Sequence, residues 1–191
     1  MTPQECKKRK FILQQCLINS IKAAVTLRAE DFYKKNVQES EKSKLRKDFA
    51  EAIIKAAQKI ISSKANQTKT LIKAINGIKK TLKTHKKILA EGQPSFGVAQ
   101  KALNLFLKYL WCLDIPNISQ PPLHCPVDSQ VLDEIKDEYR KEQKPWFHFS
   151  QKDYEIAIGK IQNKIKPESC AEWELRKWDS SLDVCIAPLF A

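Results

Sequence analysis

Apolar residues recur at helical spacing along most of the chain, so the pattern predicts a succession of α-helices. Between 4 and 36, Phe11, Ile12, Cys16, Ile18, Ile21, Val25 and Phe32 can gather on one broad face. Residues 40–65 repeat the pattern with Phe49, Ile53, Ala57, Ile60 and Ile61 inward. Asn66 and Gln67 break it, and Thr68 is placed to cap the next helix. That third helix, about 68–90, is the most regular. Leu71, Ile75, Ile78, Leu82, His85 and Leu89 alternate steps of four and three, the seam of a coiled coil. The opposite stripe carries Lys69, Lys73, Asn76, Lys80, Lys83 and Lys87. Three consecutive helices with short breaks suggest an antiparallel bundle or a hairpin arm.

The run EGQPSFG, with Gly92, Pro94 and Gly97, punctuates the chain and divides a long-helix arm, 1–91, from a helical core half, 92–191. The two are expected to pack as one unit. Residues 98–113 are the densest apolar stretch. Ala99, Ala102, Leu103, Phe106, Leu107, Leu110 and Leu113 crowd most of the surface of what should be the central buried helix. Four prolines in 114–127 then force an extended crossing. Asp128 or Ser129 can cap a further helix with Val131, Leu132, Ile135 and Tyr139 inward. Ser150 and Asp153 form a capping-box pattern ahead of Tyr154, Ile158, Ile161 and Ile165. A short helix over 168–178 carries Trp173 and Trp178, and the apolar tail LDVCIAPLFA is expected to dock. With only 4 glycines against long Lys/Glu/Gln/Ala/Leu tracts, the fold class is all-α, a helical bundle rather than a β fold.

Charge changes this picture. Residues 1–90 hold 22 Lys+Arg against 7 Asp+Glu, while 91–191 hold 12 against 15, within a net charge of +12. The excess is a property of the arm, and lysines on rigid helices point to a polyanion, nucleic acid above all. Lys34/Lys35, the group Lys42, Lys44, Arg46 and Lys47, and the stripe of Lys69, Lys73, Lys80, Lys83 and Lys87 could each track phosphates. Lysine is also the ordinary residue of a solvated helix face. Glu–Lys pairing does not account for the excess, because residues 69–90 contain no acid. No zinc-finger spacing, RNA-binding aromatic signature or glycine-rich phosphate loop supports reading of base sequence.

No apolar run approaches a membrane span. The basic Lys7–Lys10 precedes FILQQCLINSIKAAV, but Gln14, Gln15, Asn19 and Lys22 interrupt it, so it makes a poor leader core. A cytoplasmic protein is expected, with its six cysteines acting as small apolar residues rather than as a disulfide framework.

Two constellations could carry chemistry. Gln100, Asn104 and Lys108 lie four apart on the central helix, with Lys101 beside them. They could floor a cleft with Lys108 facing an anion, although the spacing favours an ordinary solvent edge. His124 and Cys125 lie in the segment Pro121–Asp128. His124 could be an acid/base and Asp128 its orienting partner, with Lys101 or Lys108 stabilising charge, as in a phosphate-ester hydrolase or nuclease. Adjacent His and Cys side chains usually point apart, so a proline-braced loop with Asp128 as a helix cap is the default. Cys112, His124 and Cys125 make a poor metal set, with Cys170, Cys185 or His148 drawn from afar, so neither metal nor cofactor is expected. His85 reads as a satisfied core or interface histidine, and the cluster Trp146, Phe147, His148, Phe149 as packing in preference to base stacking. The 71–89 seam could instead pair with a partner helix or with its own copy.

The positions Phe96, Gly97, Gln100, Lys101, Asn104, Lys108, Tyr109 and Leu110, followed by Pro122, His124, Cys125, Pro126 and Asp128, resemble the pattern of a family of small, uncharacterised bacterial proteins. Leu123 stands between a proline and a histidine that are adjacent in that pattern. The resemblance covers about a third of the second half and none of the arm. It implies a bacterial cytoplasmic origin, a single helical domain, and one site joining Gln100, Lys101, Asn104, Lys108, His124 and Asp128, with no reaction attached.

Overall fold

A computed structural model of the chain describes residues 2–26, 31–63, 67–90, 93–115, 118, 120–136 and 144–177. Tyr139, Trp178, Cys185 and the apolar tail lie outside the described residues. The seven α-helices described are α1 (Pro3–Val25), α2 (Glu39–Ser62), α3 (Gln67–Lys83), α4 (Phe96–Cys112), α5 (Ser129–Glu134), α6 (Gln151–Ile165) and α7 (Cys170–Lys177), with a 3-10 turn at Trp146–His148. An all-α bundle is therefore the architecture. The one extended pairing among the described residues is an isolated antiparallel bridge between Tyr33 and Leu89.

Local chemistry sets the helix starts. Thr2 and Glu5 close a capping box on α1 with Pro3 in the first turn. Ser95 Oγ accepts from Val98 N at 3.0 Å to open α4. Asp128 caps α5, and Ser150 with Asp153 caps α6 as a reciprocal box. Each of the last two sits where the sequence places it.

α4 is the central element. It packs on α1, α2 and α3 and also on the 3-10 turn and α6. Gln100 and eleven other residues of α4 are buried. The hydrophobic core runs without interruption from Leu17 on α1 to Trp173 on α7, so it crosses the division at 91/92. Gly97 allows the closest approach. A Cβ there would stand 1.7 Å from the Trp146 carbonyl oxygen. Instead the N–H groups of Phe96 and Gly97 donate to the Phe149 carbonyl at 3.1 and 3.2 Å.

Four expectations need correction. α1 ends at Val25, and its buried residues are Leu17, Ser20, Ile21 and Ala24, while Phe11, Ile12 and Ile18 face outward. The docked face is thus rotated from the one the apolar spacing favours. α3 ends at Lys83, and residues 84–88 turn away with Thr84 N, His85 N and Lys86 N bonding three residues back. Lys87 therefore lies in the turn beyond the helix. α4 ends at Cys112, which leaves Leu113 exposed. The seam Leu71, Ile75, Ile78 and Leu82 is buried inside the bundle, with α3 packed on α2 and α4, so it is not available to a partner helix or a second copy.

Candidate functional site

Two regions collect the candidate residues: a buried joint between α4 and the proline-rich loop, and the basic exterior of the arm. At the joint, Gln100 and Asn104 are fully buried and Lys108 nearly so. The stripe is thus neither a solvent edge nor the floor of an open cleft. Its partner is the loop backbone. Gln100 Nε2 donates to the Val127 carbonyl at 2.6 Å, and Gln100 Oε1 accepts from Val127 N at 3.1 Å. One side chain thereby satisfies both main-chain groups of a buried residue. Asn104 Nδ2 stands 3.2 Å from Gln100 Oε1, 3.2 Å from the Cys125 carbonyl and 2.9 Å from Tyr154 Oη.

Tyr154 Oη lies 2.8 Å from His124 Nδ1. Burial holds the Tyr154 phenol far from ionisation. It also lowers His124 to a pKa of about 4, so the imidazole is neutral at neutral pH. The hydroxyl, already accepting from Asn104, donates to Nδ1, which places the imidazole proton on Nε2. Asn104 Oδ1 has no hydrogen-bond partner among the described residues.

The charges around this network are paired internally. Lys101 Nζ lies 3.1 Å from Asp128 Oδ2 and 4.4 Å from the Trp146 ring centroid. Asp128 Oδ1 accepts from Gln130 N and Val131 N at 3.1 and 3.2 Å. Lys108 Nζ binds both Glu174 oxygens, at 2.9 and 2.6 Å. The anion facing Lys108 is thus a carboxylate of α7. Cys125 and Cys170, both buried free thiols, share a hydrogen bond, which lifts the pKa of Cys125 well above the ordinary range and lowers that of Cys170.

The residues that resemble the bacterial family do converge, but on each other. His124 is buried against Tyr154, and Asp128, Lys101 and Lys108 are held by structural partners, so the four do not present an acid, a base and a charge clamp to a substrate. Tyr154, Glu174 and Trp146 complete the joint; the sequence marks Trp146 as part of an aromatic cluster, whereas Tyr154 and Glu174 carry no signal beyond ordinary helix positions. Trp146, Phe147 and Phe149 are buried packing groups. His85 Nε2 meets Asp48 Oδ2 at 2.8 Å, between the turn after α3 and α2. No group of three or more His, Cys, Asp or Glu gathers as a metal set among the described residues, and no helix among them is long and apolar enough to cross a membrane.

The second region is exterior. Lys69, Lys73, Lys80 and Lys83 are exposed on α3, and at about 100° per residue they fall within roughly 40° of one line, opposite the buried seam. At 1.5 Å per residue the line is about 21 Å long. Lys73, Lys80, Lys83 and Lys87 enter no ion pair among the described residues. Among the described residues the contacts of this kind in the arm are the Lys44–Asp48 and Arg46–Glu39 pairs and the His85–Asp48 hydrogen bond. Those of the core half, among them Lys101–Asp128, Lys108–Glu174 and Arg176–Glu168, stay within that half. Asn76 Nδ2 donates to Gln151 Oε1 at 2.8 Å, which sets the start of α6 beside the middle of the stripe.

No protein-family model, curated protein or solved structure matches the chain.

Proposed function

We propose that the protein binds nucleic acid through the lysine face of α3, as a non-enzymatic polyanion-binding module. One observation carries the reading. Lys73, Lys80 and Lys83 form an exposed line on a helix whose other face is fixed in the core, and no acid among the described residues pairs with them. Lys69 lies on the same line. Such ammonium groups act on phosphates as point charges, so affinity comes from counterion release and is insensitive to base sequence. The buried joint serves this reading as scaffold, since it fixes the central helix on which α3 packs. Kinship with the small bacterial proteins that share the α4–loop pattern is a further part of the proposal, supported by the Gln100–Asn104 and Lys101–Asp128 contacts and by the Tyr154 hydroxyl that joins Asn104 to His124.

Fluorescence anisotropy with labelled DNA and RNA across a salt series tests it. Binding should weaken steeply with salt. The triple variant Lys73→Gln, Lys80→Gln, Lys83→Gln should lower the log–log salt slope by about two to three. Undetectable affinity at low salt, or an unchanged slope in the variant, removes the proposal.

A further inference from the structure

The loop between α1 and α2 adds a second basic element to the same end of the molecule. Lys34 N donates to the Ile88 carbonyl at 2.9 Å, and Ala90 N donates to the Phe32 carbonyl at 3.1 Å, around the Tyr33–Leu89 bridge. This seam places Lys34 and Lys35 beside the turn that carries Lys86 and Lys87, where the α3 stripe ends. The described part of the loop, 31–38, borders a hollow. Thr26, Asp31, Tyr33, Lys34, Lys35 and Lys42 help line an open concavity of about 490 Å³. Lys34 and Lys35 are exposed and in no ion pair among the described residues, and Lys42 stands over the Tyr33 ring at 5.4 Å. Asp31 is the one acid among the described residues of the wall. Glu39, at the start of α2, is engaged by Arg46. Gln38 leaves the α2 N-terminus without a side-chain cap, and Glu39 and Glu41 occupy its first turn.

Shape separates this feature from the stripe. A straight line of lysines suits phosphodiesters inside a strand, each with one charge and two free oxygens. A concavity admits a group that protrudes. A terminal phosphate monoester does so, with nearly two charges and three acceptor oxygens. We propose that the Lys34–Lys35–Lys42 concavity receives the terminal phosphate of a nucleic-acid strand whose adjoining backbone runs along Lys87, Lys83, Lys80 and Lys73. The inference rests on the nucleic-acid reading of α3 and adds a preference for phosphorylated ends.

Anisotropy competition with one oligonucleotide in 5′-phosphate, 3′-phosphate, hydroxyl-ended and circular forms tests it. One of the phosphorylated forms should bind about three- to tenfold tighter than the hydroxyl-ended form. Lys34→Gln with Lys35→Gln should erase that preference and keep most of the general affinity. The triple α3 variant should weaken every form and keep the preference, and circular dichroism melts should show both variants folded. Equal affinity for phosphorylated and hydroxyl ends, with binding retained, overturns the end-recognition inference and leaves the α3 reading standing. Failure of all forms to bind at low salt overturns both.

Discussion

His124 illustrates how one buried side chain can set the pH response of the fold. Its folded pKa is about 4 because burial disfavours the imidazolium, while an exposed histidine titrates near 6.5. Between these values the unfolded chain binds the extra proton, so stability rises with pH through this window. The contribution is complete above about 6.5 and is lost as pH falls toward 4, a change of about 3 kcal/mol. His124→Gln should flatten the melting-temperature profile between pH 4 and 6.5 and lower the plateau at pH 7 through loss of the Tyr154 contact. A variant whose acid limb matches the parent would show that another group sets it. The sequence marked His124 as a site residue because it sits in a proline-rich loop next to a cysteine. What it could not show is that the hydroxyl facing it comes from Tyr154, thirty positions away. Asp128 was legible because a cap is decided within three residues. Gln100, Asn104 and Lys108 were legible as a stripe but not as an inward one. Their partners are backbone groups of a loop and a carboxylate of α7, which tertiary structure alone supplies.

The elements repeat that lesson. The periodicity of α3 predicts its buried seam correctly, since Leu71, Ile75, Ile78 and Leu82 leave no competing apolar face. α1 offers two. Phe11 and Ile18 share a stripe seven apart, while Leu13, Leu17, Ser20 and Ala24 form the one that docks, and the small residues on the second stripe let the helix settle close to α4. The last turn of the predicted third helix unwinds where His85 turns to meet Asp48, a contact with α2 that no local pattern specifies. Between α4 and α7 the connection is ionic. The side chains of Lys108 and Glu174 retain only 8% and 15% exposure, so the two charges are largely withdrawn from water. Breaking such a pair from one side should be costly and removing both should not. Glu174→Leu should destabilise by about 3–5 kcal/mol, because it strands a buried ammonium. Lys108→Met should cost less, because Glu174 is the more exposed partner and can reach water. The double variant should recover most of the loss in urea melts, and additive losses would show that the pair is not coupled.

At the scale of the molecule the charge is segregated, and segregation has an energetic signature. Among the described residues the ion pairs of the core half join its own acids and bases, and the arm keeps its excess of lysine. Within α3, Lys80 and Lys83 are three residues apart and Lys79 and Lys83 four, with no acid on the helix to offset them. Like charges at these separations destabilise a helix by a few tenths of a kcal/mol per pair, and the whole arm adds a longer-range repulsion. Mobile ions screen both, since the Debye length falls from about 30 Å at 0.01 M to about 8 Å at 0.15 M salt. The melting temperature should therefore rise from low salt toward roughly half-molar sodium chloride, where a fold held by surface ion pairs would lose stability. The triple lysine-to-glutamine variant of α3 should melt about 1–4 °C higher than the parent at low salt and respond less to added salt. A bound polyanion relieves the same repulsion directly, so short nucleic acid at low salt should raise the parent's melting temperature more than the variant's, by the linkage between binding and folding. If added salt lowers the parent's melting temperature instead, the lysine faces are neutralised within the protein and no repulsion is left for a phosphate strand to relieve.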